Sequence, residues 1–435
     1  MNSLLDISIT SGPFVIVVYG LALAAIVLLV LRRPGRLWHR GRWRTAALVS
    51  AVAGALVGLL LTFILSDWLD LFGAELTTVV RVWIALGFAG IGVAVASMVR
   101  ASWLRVVAAS LAAVLFLATA AMTVNLDFGQ YPTVRSALGI SAVVDESVKP
   151  LPDPAAADSS LDTWVAPSGM PTKGTLTSVT IPATKSGFAA RPAVVYLPPA
   201  ALTADPPKLP VLVMLSGQPG TPQDPLVTEK LGKSLDEYAA AHQGLAPIVV
   251  SPDQLGDPSA NPMCVDSKLG NSATYLTVDV PTWIKANLGV IDDPHYWGIG
   301  GLSQGGTCAM QFGTGYPNLF SVILNASSEQ YPRAGNPQAS ADAAFGGSLE
   351  KYQAAWPENI MKAHGPYPDT FAVFGVGSED DKFMPGVKKL YADATAAGMT
   401  ATYLEAPGSA HDVTTWTYVF SKGLVLIADH WNLNR

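Results

Sequence analysis

The sequence predicts two parts of different class: an all-α bundle of four transmembrane helices, then an α/β domain whose mostly parallel sheet is covered by helices on both faces. Three observations predict this. The chain of 435 residues is 50% hydrophobic and only 14% charged, against about 25% charged in a soluble globular protein. Its apolar residues are concentrated in four long runs near the N-terminus. Beyond Thr175, short strand patterns alternate with helical ones. The same composition excludes collagen-like, coiled-coil and disordered chains. A net charge of −6 argues against nucleic acid as a partner. Two cysteines, Cys264 and Cys308, are too few for a disulfide framework or a Cys-based zinc site.

The four apolar runs are Phe14 to Leu31, Ala46 to Leu65, Trp83 to Met98 and Val106 to Val124. A hydrocarbon core about 30 Å thick takes roughly 20 apolar residues of helix, and all four come near that length. The third is short and extends through Val79 if Arg81 snorkels. Buried core helices of a soluble protein have similar composition, but four in succession are rare there. Met1 to Thr10 holds Asp6 and neither Lys nor Arg, unlike the basic start of a cleaved signal. Arg32, Arg33, Arg36, Arg40, Arg42 and Arg44 lie between spans one and two, and Arg100 and Arg105 between spans three and four. The loop between spans two and three carries Asp67, Asp70 and Glu75 instead. Cytoplasmic loops hold the excess of Lys and Arg, so the N-terminus and everything after Val124 are expected outside. Trp38, Trp43, Trp68 and Trp103 stand near span ends, where aromatic belts form. The middle of each span lacks ionisable residues, which disfavours transport or proton relay.

Residues 125–173 read as an extracytoplasmic connector between an anchor, 1–124, and a catalytic domain, 174–435. Its later part, Pro150 to Gly174, is rich in Pro, Ala, Ser and Asp, a composition poorly suited to burying a core. Its earlier part, Phe128 to Ala142, is apolar enough to dock. Strand patterns follow at Thr175 to Ile181, Ala193 to Leu197, Leu209 to Leu215, Ile248 to Ser251, Tyr296 to Gly300, Val322 to Leu324, Phe371 to Val376 and Ala401 to Leu404. Helical patterns cover Leu226 to His242, Tyr275 to Asn287, Gly305 to Gly315 and Val387 to Ala397. Strands first and then alternation predict an antiparallel leading edge on a parallel sheet.

The strongest chemical signal is Gly301-Leu302-Ser303-Gln304-Gly305, between a strand pattern and a helical one. That is the nucleophile elbow of an α/β-hydrolase: glycines permit the sharp turn that lifts the serine hydroxyl above the sheet. The helix that follows aims its N–H groups at developing negative charge. A serine needs a base, and His411, in the loop after the last strand pattern, is the candidate among six histidines. His39, His242, His295, His364 and His430 are read as structural. The acid that orients His411 comes from Glu379-Asp380-Asp381. Asp380 is the first choice, with Asp381 and Glu379 left open. The oxyanion hole takes the N–H of Gln304 and, from Ser216-Gly217-Gln218-Pro219-Gly220, that of Gln218, since Pro219 has none. Cys264 and Cys308 are expected to pair in the oxidising exterior, tying the nucleophile helix to the Asn261 to Gly270 loop. Asn325-Ala326-Ser327 fits a glycosylation pattern too common by chance to carry weight.

From Thr175 to the C-terminus the chain resembles the "Putative esterase" family of α/β-hydrolases, which contains esterase D, feruloyl esterases and mycolyltransferases of the antigen 85 type. The matching stretches are Arg191-Pro192-Ala193-Val194-Val195-Tyr196-Leu197-Pro198-Pro199, the Gly301 to Gly306 elbow, Gly377-Ser378-Glu379-Asp380 and the His411 loop. The four-span anchor followed by Phe128-Gly129-Gln130-Tyr131-Pro132-Thr133 is similar to membrane-anchored actinobacterial members. The crowded acidic turn departs from the family pattern. The resemblance implies acyl-ester hydrolysis, or acyl transfer to a sugar or alcohol, with neither metal nor organic cofactor. With the anchor, it points to a lipid or glycolipid of the cell envelope as substrate. The rival expectation is a silent hydrolase-fold domain that serves as an envelope binding or assembly partner.

Overall fold

The computed structural model describes residues 2–31, 39–69, 76–140, 142–143, 151–157 and 160–434. Two compact units comprise Met1–Ile140 and Ser141–Arg435. Arg32, Arg33, Arg36, Trp38, Asp70, Glu75 and Pro150 lie outside the described residues.

The first unit holds four helices long and apolar enough to cross a membrane: α1 (Pro13–Val30), α2 (Arg40–Thr62, continued by a π-helical turn Phe63–Trp68), α3 (Thr78–Met98) and α4 (Trp103–Phe128). Small residues let α2 and α3 approach closely: a Cβ on Gly58 would lie 3.1 Å from the Ala85 Cα. Two arginines find partners at the helix ends. Arg81 forms a two-pronged ion pair with Asp67 at 2.6 and 2.8 Å. Arg105 donates to the Ser97 hydroxyl at 2.8 Å and to the Leu29 carbonyl at 2.7 Å, linking three helices. Trp68 and Trp103 are each 72% exposed, as interfacial rings would be, whereas Trp43 is only 2% exposed. Its indole N–H is spent on the Val30 carbonyl at 2.8 Å, so Trp43 belongs to the bundle interior rather than to a belt. A bridge between Ser8 and Thr133 joins the two ends of this unit.

The second unit is built on eight strands: β1 (Thr175–Val179), β2 (Ala193–Leu197), β3 (Val211–Leu215), β4 (Ile248–Ser251), β5 (Trp297–Leu302), β6 (Val322–Ala326), β7 (Phe371–Gly377) and β8 (Thr400–Ala406). Their spatial order is β1-β2-β4-β3-β5-β6-β7-β8. β2 runs antiparallel to both β1 and β4, and every other pair is parallel. β3 and β5 lie at the centre, buried along their whole length. Helices α5 (Leu231–Ala241), α6 (Val280–Asn287), α7 (Gln304–Gly315), α8 (Met384–Ala396) and α9 (Val413–His430) connect and cover the strands.

One local expectation changes, and one connection holds elements that the sequence reading did not name. The helical pattern from Leu226 to His242 is broken, because Lys230 adopts φ 61° between the short helix Asp224–Val227 and α5. Three short helices, Pro337–Ala344, Leu349–Ala354 and Pro357–His364, fill the β6–β7 connection. Their pattern is interrupted by Gly346 and Gly347, both at positive φ. Within the stretch read as connector, Leu161 enters the core and Leu151 and Trp164 pack against it.

Candidate active site

The centre of the sheet creates the site. β5 ends at Leu302, and the next residue, Ser303, sits at φ 51° and ψ −120° before α7 begins. That conformation is costly for a side-chain-bearing residue. The turn is held by the Ser303 N–H, which donates to the Ala326 carbonyl at 2.8 Å. Steric crowding explains the flanking glycines. A Cβ on Gly301 would stand 2.6 Å from the Gly305 carbonyl oxygen, and one on Gly305 would stand 2.6 Å from the Leu215 carbonyl oxygen.

β7 and β8 bring the other two side chains. The loop after β8 carries His411, and its shape is set by Asp412 at the N-terminus of α9. The Asp412 carboxylate accepts from the N–H groups of Thr414 at 2.8 Å and Ala410 at 3.0 Å. His411 Nε2 then lies 3.0 Å from Ser303 Oγ, and Nδ1 lies 3.0 Å from Asp380 Oδ2. A carboxylate accepts, so Nδ1 carries the proton and Nε2 is left to accept from the serine hydroxyl. The three adjacent carboxylates after β7 separate by exposure: Asp380 is buried, while Glu379 and Asp381 face solvent. Asp380 Oδ1 also accepts the Phe383 N–H at 3.2 Å.

Two aromatic neighbours of His411 escaped the sequence reading. The Phe383 ring stacks on the imidazole at 3.9 Å between centroids, with planes 16° apart, and Trp416 presents an edge at 5.4 Å. Proximity to the acidic turn and to the histidine loop was their only sequence signal. Of the other histidines, His242 bonds the Tyr238 carbonyl, His295 and His430 pack together beside Phe371, and His364 and His39 are exposed.

The Gln218 loop follows β3, adjacent to β5, so it abuts the elbow: a Cβ on Gly217 would stand 3.6 Å from the Ser303 Cβ. Among the described residues neither the Gln218 N–H nor the Gln304 N–H donates to another main-chain group. Cys264 and Cys308 form a disulfide with Cα atoms 5.6 Å apart. It joins α7 to the Asn261 loop. Asn325 is wholly buried in β6, which closes it to glycosylation.

Downstream of the Gln218 loop in sequence, Asp224 and Glu229 are both buried. Burial pushes the Glu229 carboxyl well above the usual range, and the neighbouring Asp224 charge adds to that. Burial raises Asp224 as well, against bonds from Thr221 and Thr228 that pull it down.

Over residues 189–425 the chain matches the family described as "Putative esterase". An uncharacterised protein of Corynebacterium glutamicum is 33% identical over 336 residues, covering 76% of this chain and 77% of that one. Solved structures similar to this chain include a ferulic acid esterase, at 19% identity and a TM-score of 0.47 over 59% of this chain and 98% of that one. Another is an S-formylglutathione hydrolase from Agrobacterium tumefaciens, at 19% identity and a TM-score of 0.46 over 60% and 96%. The family match takes in the central strands, the elbow and the His411 loop, and on that span this chain belongs to the "Putative esterase" family of α/β-hydrolases.

Proposed function

We propose that this protein is a membrane-anchored serine esterase or acyltransferase that works at the outer face of the cytoplasmic membrane through Ser303, His411 and Asp380. The observation that carries this reading is the unbroken hydrogen-bonded chain from Ser303 Oγ through His411 to Asp380, with two links of 3.0 Å. Ser303 Oγ attacks the acyl carbon while its proton passes to His411 Nε2. The carbonyl oxygen becomes an oxyanion held by the N–H groups of Gln218 and Gln304. Asp380 keeps the imidazole in the donating-at-Nδ1 tautomer and stabilises the imidazolium. Collapse breaks the bond to the leaving alcohol, which takes the proton from His411. Water or a hydroxyl acceptor then attacks the acyl-enzyme with His411 as base. Hydrolysis and transfer of the mycolyltransferase kind share every step up to that acyl-enzyme.

The Arg-rich loops of the first unit support an exterior catalytic unit, where an acylated envelope lipid or glycolipid is at hand. The test uses the full-length protein in detergent micelles. A fluorophosphonate probe labels wild type and not Ser303→Ala. Ser303→Ala and His411→Ala each lower hydrolysis of a short-chain p-nitrophenyl ester by about 10⁴ to 10⁶. Equal labelling of wild type and Ser303→Ala overturns the reading. Intact-protein mass after incubation with envelope lipid extract identifies the acyl group by the adduct it leaves.

A further inference from the structure

We propose that Gln254 is the positioning residue that sets the spacing of the two oxyanion donors. The proposal rests on the reading of Gln218 and Gln304 as those donors. Gln254 follows β4, has no solvent exposure, and is remote in sequence from both. Its amide nitrogen donates to the Ser216 carbonyl oxygen at 2.6 Å and to the Gln304 side-chain oxygen at 3.2 Å. A main-chain carbonyl only accepts, so the NH₂ end of the amide must face Ser216. One buried group with two hydrogens therefore grips both halves of the hole, the loop leading to Gln218 and the residue that follows Ser303.

The surroundings stiffen this clamp. The Gln304 amide nitrogen donates to Asn261 Oδ1 at 3.2 Å and touches Cys308 Sγ at 3.3 Å, so the side chain that Gln254 holds is itself anchored. The adjacent Asp253, also buried, binds Arg191 at 2.9 and 2.7 Å. Arg191 donates in turn to the Gly220 carbonyl at 3.0 Å. The segment after β4 thus holds the oxyanion loop near both of its ends.

Oxyanion donors act only when they lie about 2.7–3.1 Å from where the charge develops. Gln254 acts on that geometry from behind, without contact to the reacting atoms. Its loss leaves two buried acceptors unpaired and lets the loop drift. The penalty then falls on the transition state and spares ground-state binding, so kcat falls and KM does not.

The experiment compares full-length wild type, Gln254→Met, Gln254→Glu and Ser303→Ala in micelles, with kcat expressed per fluorophosphonate-titrated site. For Gln254→Met, kcat falls about 10- to 100-fold, less than the 10² to 10³ lost when a donor is deleted outright. KM stays within about twofold, and affinity for a phenylboronic acid, which places a tetrahedral oxygen in the hole, falls in parallel with kcat. Gln254→Glu keeps one O–H donor while its buried carboxyl is neutral. Its kcat relative to wild type therefore falls as pH rises, and this variant carries the test if Gln254→Met does not fold. Unchanged kcat and boronate affinity in Gln254→Met, with Ser303→Ala inactive, overturns the clamp and leaves the catalytic reading standing. A lower melting temperature with unchanged kcat per site does the same. Activity in Ser303→Ala brings down both.

Discussion

Among Glu379, Asp380 and Asp381 only Asp380 combines burial with a bond to His411 Nδ1. Asp380→Asn keeps the shape but presents the wrong hydrogen-bonding partner to the ring, so kcat for ester hydrolysis is expected to fall about 10⁴-fold. Glu379→Gln and Asp381→Asn, in solvent, leave kcat near wild type; loss of activity in either, with Asp380→Asn active, reassigns the acid. Glu229 makes a second residue-scale prediction. One of its carboxyl oxygens is buried without a hydrogen-bond partner among the described residues, and its folded pKa is raised by burial and by Asp224. A carboxyl raised on folding contributes stability that is full below the unfolded value and is lost as pH climbs through the folded one. Glu229→Gln is neutral at every pH and removes that slope. Melting curves of wild type should drop relative to the variant as pH rises from acid to mildly alkaline; parallel curves contradict the assignment.

The elbow is an element whose backbone must pass through a gap with no room for a methyl group. Gly305→Ala forces its Cβ against the carbonyls of Ser216 and Leu215, at the end of a central strand paired on both sides. The variant is expected to lose about 1–3 kcal/mol of stability and most of its fluorophosphonate-titratable sites, read by thermal melting and site titration together. Wild-type values in both would mean that β3 yields. In the first unit close approach again depends on small residues. Gly58 lets α2 and α3 touch, and Arg105 finds its partners in Ser97 and the Leu29 carbonyl at helix ends. A polar group away from water must be satisfied by protein.

Over the whole second unit one covalent tie lies beside the candidate site. Cys264 and Cys308 are 44 residues apart in sequence. Closing a loop of that length is worth about 3–4 kcal/mol, chiefly through the unfolded chain. The double variant Cys264→Ser with Cys308→Ser should lose about that much unfolding free energy and melt at a lower temperature. It should also lose kcat, since the Asn261 loop and the Gln304 side chain share this corner. An unchanged melting temperature would show that core packing alone holds α7 to the loop.

Apolar run length and strand–helix alternation are local properties of the chain, so the four membrane-length helices, the eight strands and the strand–turn–helix around Ser303 were legible from residues alone. Hydrophobic periodicity and glycine sterics act within a few residues and leave their mark in the sequence. The break at Lys230 and the three short helices before β7 were not legible. A left-handed residue and Gly346-Gly347 interrupt the periodicity that would announce them. The placing of Asp380 against His411 Nδ1, the stacking of Phe383 on His411 and the reach of Gln254 to both Ser216 and Gln304 are visible only in the tertiary structure. Each joins segments from different strands of the sheet, and a contact that strand order creates is not encoded in any one stretch of chain.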